Sequence, residues 1–477
     1  MLTTLFPALI FAMHPHAATT DPIVIDVDGN HVTGSMTTTS LGVGVAVWDQ
    51  HMTDDAIPAL LRNVGYGVIR YPGGSYSDLY HWKTASATKG LDFTANIQPK
   101  TDFDSFMGIV RNSHATPLIT VNYGSNQGGT GGAEPSEAAD WVRYANKEKH
   151  YGVKYWEIGN EIYGNGFYNG QPWEIDFHAP RGLSRSQILH NPNLGPDVYG
   201  ANVAKFSQAM KAVDPSVKIG AVLTFPGAWP DGQQPSWNDG VLSKCVQDID
   251  FVVVHWYPAS RSLTDLDKVP GPLKRLRELV DHYSPKRHLA IWMTEGNTSG
   301  NGMQLIGALF AADHFLTWWE NGADNVDWWD MHNGLSAKSA TDYDDSGMLS
   351  SGMSSNGVVQ PAANTPFPPY FGTLLASKVA QPGDKFVSVS EATATLKVHA
   401  VRKSNGQLGL LIINEDPNNS ADVRIDVSGF TPGENGTRYD LNQDGLGISK
   451  SSAGSLGEDF TLTVRANSAC AIVTSSR

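Results

Sequence analysis

Cysteine is the scarcest residue of chemical interest in this chain, since only Cys245 and Cys470 occur among its 477 residues. Two thiols allow at most one bridge, so a fold held together by several disulfides is excluded. The spacing of the two residues does not decide whether they are joined. Because isolated cysteines often behave as small buried side chains, we expect two separate buried thiols.

Positive charge is also scarce. The chain has 34 Lys and Arg residues against 48 Asp and Glu residues, and its formal net charge is -14. Nucleic acids and anionic membrane surfaces are recognised by basic patches, so the charge balance argues against both as partners. A neutral polysaccharide suits this charge better than a strongly anionic one.

Long hydrophobic runs are missing beyond the first residues, and no later segment approaches the ~20 apolar residues that span a membrane. The apolar stretch from Leu2 to Met13 precedes a small-residue site at His16-Ala17-Ala18. This order is typical of the end of a signal peptide, although the usual positive charges before it are absent. We therefore expect residues 1–18 to be a signal peptide and the protein to be secreted.

The chain has instead a length and a composition that suit a large globular protein. Its 477 residues predict one large domain and a smaller one. The 48 Gly and 27 Pro residues indicate many turns and long loops, and 13 Trp residues are more than a plain core needs. Most of these Trp side chains should pack in the core, whereas those at strand ends can stack on sugar rings.

Apolar, β-rich segments alternate with helical patterns from residue 40 to residue 380. The predicted strands are Leu41–Val47, Gly67–Tyr71, Pro117–Tyr123, Val153–Ile158, Lys218–Leu223, Ile249–His255, Leu289–Thr294 and Asn325–Trp329. Apolar strands separated by helices indicate a buried parallel sheet. Eight of them predict an α/β fold with a (β/α)8 TIM barrel over residues 40–380. The competing doubly wound sheet lacks a glycine-rich nucleotide motif after an early strand.

The pattern changes after residue 380, and residues 381–477 read as short alternating strands. These strands predict a C-terminal β-sandwich domain and are Phe386–Val389, Ala394–Ala400, Leu408–Asn414, Val423–Val427, Asp459–Val464 and Ala469–Val473. Residues 19–39 contain two further predicted strands, Ile23–Val27 and Gly34–Thr39, with a turn at residues 28–30. We expect this N-terminal segment to join the sandwich.

Two glutamates follow predicted barrel strands at the face where barrel enzymes place their active sites. Glu161 ends the segment Tyr155–Glu161, after the fourth strand, and Glu295 directly follows Thr294 at the end of the seventh. A single glutamate in such a place is commonly a solvated rim charge. Two carboxyl groups facing each other across a barrel mouth are what a retaining glycosidase requires.

Several segments resemble the clan A retaining glycoside hydrolases, and most of all the family 51 α-L-arabinofuranosidases. They are Arg70–Ser75 with Tyr80–Trp82, Val153–Trp156 with Gly159–Glu161, His255–Pro258, and Glu295. The resemblance covers the barrel and the appended sandwich, and it implies hydrolysis of plant cell-wall polysaccharides or oligosaccharides. Neither a cofactor nor a catalytic metal is implied.

The resemblance assigns the catalytic roles. Glu161 is implied to be the general acid/base, and its pKa must be raised for it to stay protonated. Glu295 is implied to be the nucleophile. Arg70 and Tyr257 should donate hydrogen bonds to Glu295 and hold it ionised. Glu157 lies deeper in the fourth strand and should support these groups from behind.

Four other residues are expected to bind the sugar. Asn160 is placed to contact the sugar 2-hydroxyl, a bond that strengthens in the transition state. His255 is a candidate donor in the pocket, and Trp329 is expected to be the stacking floor in preference to Trp328. Ser75 stands where family 51 has an asparagine that contacts the arabinofuranose.

Ser75 and the sequence Gly296-Asn297-Thr298 after the nucleophile depart from the pattern of family 51, so other activities stay open. One alternative is another clan A activity, such as that of a β-glucanase, a xylosidase or a β-glucuronidase. The long insertion from Ile162 to Pro196 would give the cleft a wall that differs from that of family 51. A second alternative is a non-catalytic polysaccharide-binding protein.

The segment Asp440–Gly445 matches the first half of a calcium-binding loop. The twelfth position of that loop is Ser451, where calcium needs a bidentate glutamate. We therefore expect a plain turn at this place.

Overall fold

The structure is a computed structural model. It describes residues 21–91, 96–164, 174–180, 182–228, 236–260, 262–298, 300, 302–335, 345–355, 357–390 and 393–475. The predicted signal peptide and residues 165–173 of the predicted insertion lie outside the described residues. None of the helices within the described ranges is both long and apolar enough to cross a membrane.

The described chain contains strands numbered here in chain order. They are β1 (Ile23–Ser35), β2 (Leu41–Gly44), β3 (Val68–Tyr71), β4 (Tyr80–His81), β5 (Ser86–Ala87), β6 (Thr116–Val121), β7 (Tyr155–Ile158), β8 (Lys218–Val222), β9 (Phe251–His255), β10 (Ala290–Gly296), β11 (Asn325–Trp328), β12 (Ser354–Ser355), β13 (Val358–Val359), β14 (Lys385–Val389), β15 (Leu396–Arg402), β16 (Leu408–Asn414), β17 (Ala421–Ser428), β18 (Asn435–Leu441), β19 (Ile448–Ser455), β20 (Asp459–Val464) and β21 (Ser468–Thr474).

The α-helices are numbered in the same way. They are α1 (Ile57–Val64), α2 (Phe103–Ser113), α3 (Pro135–Val142), α4 (Arg185–Leu189), α5 (Pro196–Val213), α6 (Trp237–Cys245), α7 (Pro270–Tyr283), α8 (Leu305–Glu320) and α9 (Pro368–Val379). Short 3₁₀ helices cover Gly74–Asp78, Ile162–Gly164, Pro192–Leu194 and Leu263–Lys268, and a π-helical turn at Arg143–Glu148 extends α3.

Eight parallel strands close into a barrel in the order β10-β11-β2-β3-β6-β7-β8-β9. The predicted TIM barrel is confirmed, and the doubly wound alternative is wrong. Each of the eight predicted strand segments overlaps one barrel strand, although β6 begins one residue before its predicted segment and β10 ends two residues after it. Every residue of β3 and of β9 is buried, which explains why these strands read as apolar runs without alternation. The strands β7 and β10 are the fourth and seventh of the barrel, so Glu161 and Glu295 come from opposite parts of its mouth.

The second sheet has nine strands in the order β19-β18-β21-β16-β15-β14-β1-β17-β20. Apolar side chains from both of its halves share one core, which includes Ile25, Ile425, Leu410 and Ile472. The guanidinium of Arg438 on β18 also donates to the carbonyl of Thr463 on β20. The sheet therefore folds over on itself, and the predicted α/β barrel with a C-terminal β-sandwich is confirmed.

The N-terminal segment differs from the prediction of two strands separated by a turn. Residues Ile23–Ser35 form the single strand β1, which pairs in parallel with β17 and antiparallel with β14. The register with β14 shifts after Asp28 and again after Val32, so the extra residues are absorbed as bulges. Pairing up to Asp28 and again from Val32 makes the segment one strand, and Gly29 and Asn30, which a local reading assigns to a turn, lie in the bulge between these paired residues.

Two strands of the sandwich were missing from the prediction. Most of β18 is only partly buried and most of β19 is exposed, so neither shows an apolar alternation. A tight turn joins them, closed by the amide of Asn442 donating to the carbonyl of Gly447. Asp440 in this hairpin is paired with Arg438, which agrees with a structural role for the segment that resembles a calcium loop.

The two cysteines are far apart in the fold, in α6 and in β21. Cys245 and Cys470 are both buried and unpaired, so the expectation of two separate thiols is confirmed. Burial raises the pKa of each thiol to about 12. Both thiols therefore behave as apolar core groups.

A buried histidine holds the sandwich against the barrel. His399 on β15 is hydrogen-bonded through Nε2 to Asp313 and through Nδ1 to Glu320, at 2.9 Å in each case, and both carboxylates lie on α8. Burial by itself lowers the pKa of His399, but the two carboxylates raise it to about 10. The imidazolium is therefore charged at neutral pH and joins the two domains.

Replacing His399 with glutamine is expected to lower the free energy of unfolding at neutral pH by about 3 kcal/mol, because two buried carboxylates lose their cation. Since the folded pKa lies above the unfolded value of about 6.5, the stabilisation is complete below pH ~6.5. It is lost as the pH rises through about 10. Urea unfolding of the wild type and the variant at neutral pH and near pH 10 measures this difference. His282→Gln, at an exposed position of α7, is the control; an equal loss at both pH values would contradict the assignment.

Candidate active site

A cavity of about 850 Å³ opens at the carboxyl ends of the barrel strands. It is lined by Trp48, Gly74, Ser75, Tyr76, Asn96, Gln98, Glu161, Tyr163, Ala228, His255, Tyr257, Glu295 and Trp329. Five of these are predicted site residues on or just after barrel strands, and Ser75 is a sixth on the turn that follows β3. Neither Arg70 nor Asn160 lies on the cavity wall, and both are buried directly behind it.

Glu161 is presented by a tight turn after β7. Gly159 has φ +74°, and a side chain there would meet Tyr123 and Ile162, so glycine is required. Glu161 itself adopts φ +38°, a conformation that is strained for a residue with a side chain. The carboxylate of Asp78 holds the turn by accepting a hydrogen bond from the backbone N–H of Asn160 at 2.8 Å. The turn directs the Glu161 side chain into the cavity.

Glu295 lies within β10 and is held at both of its oxygens. Arg70 donates to Oε2 at 3.0 Å and the hydroxyl of Tyr257 donates to Oε1 at 2.7 Å. Burial raises the pKa of Glu295 above its ordinary value and Glu161 adds to the rise, whereas His255, Arg70 and Tyr257 limit it. Two directed donors keep the carboxylate in one orientation.

Arg70 is completely buried and connects three groups of the site. Its Nε donates to Glu157 at 2.6 Å, its Nη1 to Glu295 and its Nη2 to the side-chain oxygen of Asn160 at 2.7 Å. The hydroxyl of Thr120 also donates to Glu157. Although burial disfavours the charged guanidinium, Glu157 and Glu295 raise the pKa of Arg70 above its ordinary value. The arginine is a permanent cation beneath the cavity floor.

His255 ends β9 and stands between the two cavity glutamates. Its Nδ1 is hydrogen-bonded to Glu161 at 2.8 Å and lies 3.7 Å from Oε2 of Glu295, while its Nε2 is bonded to the hydroxyl of Thr294. One carboxylate oxygen of Glu161, one ring nitrogen of His255 and one carboxylate oxygen of Glu295 all lie within 4.8 Å of one another. The carboxylates are therefore close enough to act on the two atoms of one bond in a bound molecule.

Aromatic rings form one wall of the cavity. Trp48 follows β2, and its ring centroid lies 4.8 Å from that of Tyr76 and 5.9 Å from that of Trp329. Trp328, by contrast, is fully buried against α8 and donates its indole N–H to the carbonyl of Ser346. Adjacent strand residues point to opposite sides, so of the pair Trp328 and Trp329 it is Trp329 that reaches the cavity.

Ser75 is bonded to a carboxyl group that the sequence did not single out. The hydroxyl of Ser75 donates to Oε1 of Glu174 at 2.6 Å, and the side-chain amide of Asn160 donates to the same oxygen at 3.2 Å. Glu174 is 1% exposed. It comes from the predicted insertion after Glu161, which therefore contributes directly to the site.

The residues that sequence reasoning missed are those on loops. Trp48 comes directly after the first predicted barrel strand, and this position could have indicated that its side chain lies at the mouth of the barrel. Tyr76 and Tyr163 lie on short 3₁₀ helices, and Gln98 and Glu174 lie in irregular segments where no periodicity marks a direction. His81, considered from sequence as a pocket donor, is hydrogen-bonded instead to Glu137 and Thr88 outside this cavity.

Comparison with known proteins supports the resemblance read from the sequence. No family model matches the chain. A probable α-L-arabinofuranosidase C of Aspergillus fumigatus is 25% identical over 253 residues, which are 46% of this chain and 42% of that protein. An intracellular exo-α-(1→5)-L-arabinofuranosidase 1 of Bacillus subtilis is 23% identical over 244 residues, covering 48% and 42%. The matched part of the chain thus spans about two-fifths of the length of these curated relatives.

The fold is shared over a longer range than the sequence. The structure of an α-L-arabinofuranosidase from Thermotoga maritima in complex with arabinose superposes with a TM-score of 0.70 at 17% identity. The match covers 95% of this chain and 100% of that one. At this identity the superposition shows a common fold, and the arrangement of side chains carries the functional argument.

Proposed function

We propose that the protein is a retaining, exo-acting glycoside hydrolase that cleaves α-L-arabinofuranosides from plant cell-wall polysaccharides or oligosaccharides. The observation that carries the mechanism is the closeness of Glu161 and Glu295, because one carboxylate oxygen of the first lies within 4.8 Å of one carboxylate oxygen of the second. Retaining enzymes hold their two carboxyl groups about 5–5.5 Å apart, whereas inverting enzymes leave about 6.5–9.5 Å for a water molecule.

In the first step Glu161 protonates the glycosidic oxygen while Glu295 attacks the anomeric carbon. The bond from that carbon to the oxygen breaks, the alcohol leaves, and a covalent ester joins the sugar to Glu295. Arg70 and Tyr257 hold Glu295 for attack. His255, bonded to Glu161, keeps the acid directed toward the leaving oxygen.

In the second step the Glu161 carboxylate removes a proton from water, and the resulting nucleophile attacks the anomeric carbon of the ester. The bond to Glu295 breaks, the sugar leaves with retained configuration, and both carboxyl groups return to their starting states. Every proton in this cycle is carried by residues already in the cavity. No cofactor enters the proposal.

The choice of sugar rests on the resemblance and on the relatives' names. The Aspergillus relative is named as a probable α-L-arabinofuranosidase, and the Bacillus relative as an exo-acting arabinofuranosidase. None of the described residues lining the cavity is Lys or Arg, so this part of the wall offers no side-chain cation to a uronate carboxylate. A β-glucanase, xylosidase or β-glucuronidase activity stays a second outcome of the test.

The test is a screen of 4-nitrophenyl glycosides with the purified protein. The proposal predicts turnover of the α-L-arabinofuranoside with the highest kcat/KM, and a product that first appears with retained configuration by NMR. Preferred turnover of a glucopyranoside or xylopyranoside would replace the arabinofuranosidase assignment with another clan A activity. Turnover of none, with binding to arabinan or xylan retained, would indicate a polysaccharide-binding protein.

Removal of metal ions is expected to leave the activity unchanged. Glu161, His255 and Glu295 have the composition of a metal site, yet the proposed steps use all three as acid, orienting group and nucleophile. Dialysis against EDTA before the same assay measures the effect. A loss of activity that returns with a divalent cation would assign these side chains to a metal instead.

We also propose secretion, which fractionation of a host expressing the full chain tests.

A further inference from the structure

Glu174 is a third carboxyl group beside the two proposed catalytic ones. It is almost completely buried, and its Oε1 accepts hydrogen bonds from Ser75 and Asn160. Its other oxygen, Oε2, is buried and has no hydrogen-bond partner among the described residues. The proposed reaction gives Glu174 no role.

A continuous chain of hydrogen bonds passes through this carboxyl group. Ser75 donates to Glu174 at 2.6 Å and the side-chain amide of Asn160 donates to the same carboxyl group at 3.2 Å. Arg70 donates to the side-chain oxygen of Asn160 at 2.7 Å and to Glu295 at 3.0 Å. Ser75 lies on the cavity wall and Glu295 is the proposed nucleophile. Glu174 thus connects a side chain that can touch the sugar with the group that attacks it.

The surroundings of Glu174 favour its protonated form. No described Lys, Arg or His side chain forms an ion pair with it, and an unpaired buried carboxylate is strongly disfavoured. Burial raises the pKa of Glu174 well above its ordinary value, and the nearby Glu161 and Asp78 raise it further. A neutral carboxyl group adds no charge that would disturb Glu161 or Glu295.

The bond to Glu174 also decides what Ser75 offers to a sugar. A serine hydroxyl has one hydrogen to donate and two lone pairs that accept. Because the hydrogen is directed to Glu174, the lone pairs remain for a ligand. Ser75 then accepts a hydrogen bond from a sugar hydroxyl, and a sugar without that hydroxyl loses the contact.

We infer that Glu174 is a positioning and specificity-determining residue, which directs Ser75 to recognise one sugar hydroxyl and holds Asn160 and Arg70 in line behind Glu295. This inference rests on the proposed function. It names the group that selects the sugar at the same site.

The test uses four variants of the full chain: Glu174→Ala, Glu174→Gln, Ser75→Ala and the double variant Ser75→Ala/Glu174→Ala. The substrates are a 4-nitrophenyl α-L-arabinofuranoside and its 2-deoxy, 3-deoxy and 5-deoxy analogues. If the screen above selects another sugar, the deoxy series is built on that sugar. Glu137→Ala, which removes a carboxyl group outside the cavity, is the matched control.

The wild type is expected to discriminate against one deoxy analogue by about 10-fold in kcat/KM, the usual effect of a lost buried hydrogen bond. Glu174→Ala and Ser75→Ala should each abolish this discrimination, and the double variant should add nothing further. Glu174→Ala should in addition lower kcat, because Arg70 loses its support. Glu174→Gln, which keeps the size, the acceptor oxygen and the neutral state, should retain the discrimination and the pH profile of the wild type.

The inference is overturned if Glu174→Ala slows all four substrates by the same factor, since that is the behaviour of a merely structural residue. It is also overturned if Glu174→Gln behaves like Glu174→Ala or shifts the pH profile, because either result requires an ionised carboxylate. Thermal unfolding midpoints identify a variant that fails to fold. If Glu174→Ala fails to fold, the discrimination and the pH profile of Glu174→Gln test the inference. A wild type that hydrolyses no glycoside refutes the proposed function itself, which is a separate result.

Discussion

Replacing Glu295 with alanine is expected to reduce kcat by on the order of 10⁴-fold or more on every substrate, because the covalent step loses its nucleophile. The geometry supports a large effect, since Arg70 and Tyr257 hold both oxygens of this one carboxylate. Steady-state kinetics with the best aryl glycoside from the screen measures the loss. Glu137→Gln, at a position outside the cavity, should stay near the wild-type rate.

A covalent label identifies the nucleophile independently of the mutation. A 2-fluoro glycoside of the preferred sugar with a good leaving group should accumulate as an ester, because the fluorine slows the second step. Proteolysis and mass spectrometry are expected to find the sugar on the peptide that contains Glu295. A label on Glu157, Glu161 or Glu174 would show that the catalytic roles are distributed differently.

Replacing Glu161 with alanine is expected to give a loss that depends on the leaving group. Removal of a general acid costs about 10²–10⁴-fold where the departing oxygen needs a proton. An oligosaccharide substrate should suffer the whole loss, whereas a dinitrophenyl glycoside should suffer much less in the glycosylation step. Pre-steady-state kinetics separates that step from hydrolysis of the ester.

Azide provides a second test of the same residue. The space left by the Glu161 side chain admits a small anion beside the ester on Glu295, and azide needs no general base to attack. Rescue should therefore yield a glycosyl azide of retained configuration, identified by NMR. If good and poor leaving groups are slowed equally in the first step, Glu161 is not the acid and His255, its neighbour, becomes the candidate.

The sequence by itself determined the barrel and the place of its two central glutamates. Buried parallel strands read as apolar runs because both of their faces are covered, so each of the eight was visible locally. A residue at the carboxyl end of such a strand, or in the short turn directly after it, lies at the mouth of the barrel. Glu161 and Glu295 could for this reason be assigned to the same cavity without knowledge of a single contact.

The sandwich shows where local patterns stop being informative. The strands β15, β16 and β21 carry apolar residues and were predicted, whereas β18 and β19 are largely exposed and were not. The prediction divided β1 into two strands, because the pairing of its flanking residues with β14 and β17 absorbs Gly29 and Asn30 as a bulge within one strand. Such pairing joins residues that are hundreds of positions apart, so no local pattern records it.

Only the tertiary structure decided what surrounds the two glutamates. Trp48 and Tyr76 reach the cavity from separate loops. Glu174 meets Ser75 across 99 positions of sequence. Loop residues have no periodicity that fixes a direction, and their side chains are placed by contacts with distant parts of the chain. The chemistry could therefore be read from the strands, whereas the groups that select the sugar depend on how the loops fold over them.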